Sequence, residues 1–291
     1  MRLDELNAAN KADFVTALGA IYEHSPWVAE AVANKRPFAA LAALNDAMRA
    51  VVIAADASRV LALLNAHPDL AGKAARAGAM TADSKAEQGS AGLARLSERE
   101  FEEFHRLNES YHKKFGFPFI ICVRRHGKES IFRQFERRLG NTIAAERDAA
   151  LLEIFRIAAL RLDQHVSAPD KLAVHGRLTT HALDTHAGIP AADVVVELCE
   201  LSGAENVLIT AGVTDASGRT DEPLIGGRPL PIARYELRFM IGDYFARRGV
   251  VRADPPFLDV VPIRFAIAEP EGHYHVPLTV TPWSYATYRG S

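Results

Sequence analysis

The chain has 291 residues, of which 48% are hydrophobic and 24% charged, with a formal net charge of -2. That balance excludes a polybasic nucleic-acid or membrane-surface binder and leaves a small polar molecule as the default ligand. The length predicts two domains, each large enough to bury its own core.

From Asn10 to about His165 apolar positions recur at helical spacing within alanine-rich stretches. Helices are predicted over 11–22, 38–55, 57–66, 84–93, 98–115, 129–139 and 143–165. Asn141 or Thr142 caps the last one, with Glu146 placed to complete a capping box. This half is predicted to be an all-α helical bundle. Across 166–176 a proline and small polar residues break the rhythm, so the boundary falls there: a helical domain over 1–165, a linker over 166–171 and a second domain over 172–291. Short β-type runs follow at 171–184, 194–201, 207–214, 232–239, 260–268 and 273–281, with one short helix at 241–247. They predict an all-β sandwich.

Cys122 and Cys199 lie in apolar strings and read as buried thiols of a reducing compartment. The acidic start Met1-Arg2-Leu3-Asp4-Glu5 lacks the basic end and apolar core of a signal peptide, and no segment reaches membrane-spanning length. Arg289-Gly290-Ser291 is not the Ser-Lys-Leu type of peroxisomal address. A cytoplasmic location is expected.

In the β half, His181, Arg219 and the pair His273/His275 with Tyr288 beyond them form one candidate constellation. A strand over 273–281 points both imidazoles of the pair to one face. Neutral histidine takes a proton from water, and arginine holds an anion or a developing oxyanion, a combination suited to hydrolysis. Taken singly, His181 reads as an edge-strand surface residue and Arg219 as a loop-tip charge. His-x-His with a third histidine also makes a plausible zinc set, but no fourth ligand or catalytic carboxylate stands out, and no metal is expected. In the helical half the candidates are His67 before Pro68, the Ser84–Glu87–Gln88 stretch, the run around Phe119 and Arg161. A histidine ahead of proline is presented at a helix end. The plainer readings are a solvated His67, a helix-surface Glu87 and core-filling phenylalanines. His67-Pro68-Asp69 is also the tripeptide of J-domain co-chaperones, but the preceding segment 57–66 carries one basic residue where those proteins have a strongly basic helix.

Residues 172–291 resemble the transthyretin-related 5-hydroxyisourate hydrolases. The resemblance rests on Leu178-Thr-Thr-His-Ala-Leu-Asp-Thr185, Phe257-Leu-Asp-Val-Val-Pro-Ile-Arg-Phe265, His273-Tyr-His-Val-Pro277 and the final Tyr288-Arg-Gly-Ser291. The last of these separates the hydrolases from hormone-carrying transthyretins. The resemblance implies His181, Arg219 and His275 as catalytic residues, Tyr288 as part of the pocket wall, and a tetramer with sites at subunit interfaces. Ser284 departs from the glycine expected after an aromatic residue. Residues 1 to about 165 resemble the 2-oxo-4-hydroxy-4-carboxy-5-ureidoimidazoline (OHCU) decarboxylases, through His67-Pro-Asp-Leu-Ala71, Glu87-Gln-Gly-Ser-Ala-Gly-Leu93, Tyr111-His-Lys-Lys-Phe-Gly-Phe-Pro-Phe119 and Arg138-Leu-Gly-Asn141. This second resemblance implies His67 as proton donor, Glu87 and Arg161 as groups that orient the substrate, and a pocket lined by Pro68, Ser84, Gln88, Phe119, Ile120, Ile121, Cys122 and Val123. Arg124-Arg125-His126 departs from the pattern, where glycine often follows.

Loss of carbon dioxide from a ring carbon beside an imine leaves a carbanion that the heterocycle itself delocalises, so no cofactor is expected. The combined expectation is a bifunctional enzyme of urate degradation acting on 5-hydroxyisourate and then OHCU. It needs no nucleic acid or membrane and assembles as a homo-oligomer, with a tetrameric β core and pairing helical domains. The alternative is a transthyretin-like carrier fused to a helical oligomerisation domain.

Overall fold

Several helix starts in the first half are set by side chains that satisfy otherwise unpaired backbone N–H groups. A computed structural model describes residues 1–71, 83, 84, 87, 89, 93, 96–203, 205–250 and 253–290. Asn10 accepts from Asp13 N at the start of α2 (Lys11–Leu18) and Asp56 from Arg59 N at the start of α5 (Ala57–Asn65). Ser97 and Glu100 form a capping box on α6 (Glu98–Phe115). The remaining helices of this half are α1 (Leu3–Ala8), α3 (Trp27–Val32), α4 (Leu41–Ile53), α7 (Lys128–Leu139) and α8 (Ile143–His165). α1 and α3, six residues each, are too short to show a helical period in sequence. α2 stops at Leu18 rather than 22, because the chain turns through Tyr22–Ser25 with His24 at φ 44°. The helix expected at 84–93 falls mostly outside the described residues.

The cap expected of Glu146 is not made. Thr142 alone accepts from Ala145 N, at 3.3 Å. Glu146 is instead fully buried, where it accepts from Arg138 Nε (2.8 Å), Asn141 Nδ2 (2.6 Å) and the Tyr111 hydroxyl. A buried carboxylate is tolerable only when hydrogen-bonded and paired, which is the stronger demand here. Arg138 also donates to Ile120 O at 2.7 Å and lies over the Phe119 ring, 4.5 Å from its centroid. Phe119 stacks on Phe135 at 3.8 Å. The polar knot and the aromatic stack together fix the backbone of 119–121.

By contacts the chain divides into two compact units, one of Met1–Arg124 with Ile131–Val174 and one of Arg125–Ser130 with His175–Ser291. The second unit is a β-sandwich with one short helix, α9 (Ile241–Arg247). One face is the antiparallel sheet β5-β4-β7-β8, built from β4 (Val195–Ser202), β5 (Glu205–Val213), β7 (Ala233–Met240) and β8 (Val260–Ile267). The other holds one three-stranded and one four-stranded piece, built from the short strands between Gly176 and Thr287. Leu198, Leu237, Phe239, Val261, Leu278 and Val280 are among the side chains buried in the unit's core.

The single strand expected over 171–184 starts only at Gly176 and is two strands, β1 (Gly176–Thr179) and β2 (Ala182–Asp184). The run over 273–281 is likewise β9 (His273–His275) and β10 (Leu278–Val280). β1 pairs in parallel with β9, and β2 with β10. The interruption sits opposite Pro277, which has no N–H to give to the ladder. Val276 N still reaches Thr179 O and Leu278 N reaches His181 O, so the two chains bend together. β3 (Ile189–Pro190), β6 (Ile225–Arg228) and β11 (Tyr285–Thr287) are short edge additions that alternation did not mark. Among the described residues, no helix is long and apolar enough to cross a membrane.

Candidate active sites

His67 closes the C-terminal end of α5, its N–H still reaching Leu64 O at 3.3 Å. Its Nδ1 lies 3.0 Å from Leu63 O. A carbonyl only accepts, so Nδ1 carries the proton and Nε2 is the nitrogen that changes state. Burial lowers its pKa to about 4, opposed by the Leu63 bond and the Glu23 charge, so the resting imidazole is neutral. The ring borders a small cavity shared with Pro68, Leu70, Ser84, Glu87, Phe119, Ile120, Ile121, Val123, Ile157 and Arg161. Nine sequence candidates thus meet at one cavity. Cys122 does not line it: the thiol is buried and its backbone N–H donates to Glu153 at 2.9 Å. Gln88 lies outside the described residues.

Arg161, on α8, is 3% exposed and all five of its N–H groups meet protein acceptors. Nε and Nη2 grip the two Glu87 oxygens at 2.9 and 3.0 Å. Nη2 also reaches Ser84 Oγ at 3.3 Å, and Nη1 donates to Glu23 Oε2 at 2.7 Å and Ala20 O at 3.4 Å. Ser84 Oγ in turn donates to Glu23 at 3.1 Å. Burial works against the guanidinium charge, yet the two carboxylates outweigh it and raise its pKa. Glu23, 2% exposed, is the member of this site that sequence reading missed. Its signal was an acid directly after the apolar Ala20-Ile21-Tyr22, where a buried charge needs a partner.

In the β unit, cross-strand register does the assembling. Thr179 stands directly opposite His275, and His181, two residues on, is brought to the same side. His181 Nδ1 lies 2.7 Å from His275 Nε2, the ring centroids 4.8 Å apart and the ring planes within 20° of parallel. Thr179 Oγ1 lies 2.9 Å from His275 Nδ1 and 3.1 Å from His273 Nε2, so the His273/His275 pair does share a face. Arg219 reaches the pair through its loop. Asp215 Oδ1 accepts from Ser217 N, Ser217 Oγ and Arg219 N, which curls the loop and lays Arg219 against His181 in a β-bridge. At φ +76° with the Ala182 carbonyl 2.3 Å from where a Cβ would stand, Gly218 is the residue that permits this approach. Burial, then the Arg219 charge, lowers the His181 pKa. Burial, His181 and Arg219 push that of His275 down to about 4. Both imidazoles are therefore proton acceptors at neutral pH.

The chain's last residues close over this pair. Gly290 N donates to His275 O at 2.8 Å, and its Cα stands against the imidazole. Arg289 covers the Tyr274 ring at 4.6 Å. Tyr288 is 57% exposed and Ser291 lies outside the described residues. Among the described residues no group of three or more His, Cys, Asp or Glu side chains is placed to hold a metal ion.

Comparison with known proteins matches residues 7–163 to the OHCU decarboxylase family and residues 178–290 to the HIUase/Transthyretin family. The chain belongs to both families. A 5-hydroxyisourate hydrolase of Deinococcus radiodurans is 55% identical over 117 residues, 40% of this chain and 98% of that protein. A 2-oxo-4-hydroxy-4-carboxy-5-ureidoimidazoline decarboxylase of Haloferax volcanii is 42% identical over 168 residues, 58% of this chain and 98% of that one. A crystal structure of (S)-allantoin synthase is similar end to end, covering 100% of both chains at 36% identity with a TM-score of 0.53. The His67 cavity lies within the decarboxylase match, and the His181–His275 pair within the HIUase/Transthyretin match.

Proposed function

We propose that this protein is a bifunctional enzyme of urate degradation. Its HIUase-family domain, residues 172–291, hydrolyses 5-hydroxyisourate to OHCU. Its decarboxylase domain, residues 1–165, converts OHCU to (S)-allantoin. The observation that carries the reading is the end-to-end similarity to (S)-allantoin synthase, in a chain whose two halves each gather their family's motif residues around one site.

In the hydrolytic step a water proton passes to the His181–His275 pair, both members being unprotonated at rest, and the hydroxide attacks the ring carbonyl. Arg219, always charged, sits where negative charge develops on the substrate oxygen. Tyr288 flanks the opening. In the decarboxylation step the Arg161 guanidinium holds Glu87 and Ser84 rather than the substrate, since none of its donors is left over. Glu87 and Ser84 orient the ring against the Phe119–Val123 wall. The substrate brings its own carboxylate into the cavity, and that negative charge favours the imidazolium of His67. His67 Nε2 then delivers one proton to the carbanion left by carbon dioxide, from one face only, which fixes the product's handedness. The ring is its own electron sink.

Exposed apolar side chains on the sandwich, Val195, Leu208, Val213, Val260 and Tyr285, support a homo-oligomer with a tetrameric β core. The test is to give the purified protein freshly made 5-hydroxyisourate and follow circular dichroism. Rapid growth of an (S)-allantoin signal is expected, with OHCU accumulating in His67→Ala. Racemic allantoin forming only at the spontaneous rate refutes the assignment.

A further inference from the structure

Four side chains in the β unit form one unbroken row: His181 Nδ1 to His275 Nε2 at 2.7 Å, His275 Nδ1 to Thr179 Oγ1 at 2.9 Å, and Thr179 Oγ1 to His273 Nε2 at 3.1 Å. A hydroxyl has one proton to give, and a neutral imidazole has one N–H. The row therefore has a single direction at a time. When Thr179 donates to His273, it accepts from His275 Nδ1–H. His275 Nε2 then accepts from His181 Nδ1–H, and His181 Nε2 is left as a free base. When every bond is reversed, His181 Nε2 carries a proton and is spent as a base. The direction of one hydroxyl thus decides whether the site is armed.

We propose that Thr179 and His273 are the outer half of a proton relay that serves the hydrolytic site, Thr179 setting the tautomer of His181 and His275, and His273 releasing the proton to solvent. The proposal rests on the hydrolase reading given above. A water O–H breaks, its proton joins His181 Nε2, and the hydroxide goes to the substrate. The Nδ1–H of His181 moves to His275 Nε2, that of His275 moves to Thr179 Oγ1, and the hydroxyl proton moves to His273 Nε2. His273 then loses its Nδ1 proton to bulk water. Charge and atoms balance, and no group outside the row is needed. The physical gain is placement of the cation. On the hydrogen-bonded imidazole pair a positive charge is partly desolvated and lies near Arg219, whereas His273 is exposed to solvent. Running the row backwards returns a proton to the leaving nitrogen.

The test is Thr179→Val, which keeps the shape and removes the hydroxyl, beside Thr179→Ser and His273→Gln in the full-length protein. Valine should lower kcat for 5-hydroxyisourate by ~100-fold, the lower end of general acid–base effects, with little change in KM. Serine should restore the rate. Histidine ¹⁵N resonances should show one dominant tautomer of His181 and His275 in wild type and a mixture in Thr179→Val. The solvent deuterium isotope effect on kcat should shrink in Thr179→Val and in His273→Gln, whose exposed position leaves folding unaffected. Wild-type kcat with an unchanged tautomer in Thr179→Val overturns the relay. If the wild-type protein itself leaves 5-hydroxyisourate untouched, the hydrolase reading falls, and the tautomer measurement still reports on Thr179.

Discussion

Gly290→Ala tests how tightly the end of the chain is fitted to the hydrolytic site. A Cβ at 290 would stand 2.6 Å from His275 Cδ2, 3.2 Å from its Cβ and 3.3 Å from its Cγ. Carbon atoms settle at roughly 3.5–4.0 Å, so about 1 Å must be absorbed. The imidazole is held at both nitrogens and its carbonyl accepts from Gly290 N, so neither the ring nor the tail moves without losing a hydrogen bond. A displacement of about 1 Å in a catalytic group costs on the order of 100-fold in rate, or ~2.7 kcal/mol of barrier. The assay follows 5-hydroxyisourate disappearance by absorbance and, separately, decarboxylation of OHCU by circular dichroism. Hydrolysis should fall by that amount, while decarboxylation and melting temperature stay put. A hydrolysis rate close to wild type would refute the view that the tail holds His275 in place.

Glu23→Ala removes one partner of a buried ion pair and leaves an Arg161 Nη1 donor unmatched, which should destabilise the helical unit by ~3–5 kcal/mol and lower decarboxylation kcat more than it raises KM. Denaturant unfolding and steady-state kinetics check both, and a large rise in KM at constant kcat would mean that Arg161 binds substrate directly. His67 has a folded-state pKa of about 4 against 6.5 when free. The folded state therefore binds fewer protons between those values, and stability of the helical unit should fall as pH drops from about 6.5 to about 4, by on the order of 3 kcal/mol. His67→Asn should flatten that part of the melting profile. Arg219→Ala should abolish most hydrolysis and, by removing a nearby cation, raise the pKa values of His181 and His275, read by NMR titration. Unchanged titration would place the guanidinium away from the pair.

Helices α6 and α8 were read to the residue because each is long, periodic and capped by Ser97 or Thr142. The motif residues Tyr111, Arg138 and Asn141 were visible as a resemblance, but their shared purpose was not. They converge on Glu146, which sequence assigned to a local cap. Periodicity reports which residues face the core, not which distant partner a buried charge will find. Glu23 was missed for that reason, since its partner Arg161 lies 138 residues away.

By itself the sequence determined the two-part architecture, the helical and β character of each half and the residue types available for proton transfer. Those follow from local pattern: period, turn residues and composition. Only the tertiary structure decided that Arg161 is saturated by protein, that Cys122 is not part of the cavity lining and that Thr179 joins His273 to His275. Each depends on which atoms lie within about 3 Å across chain separations that no local pattern encodes.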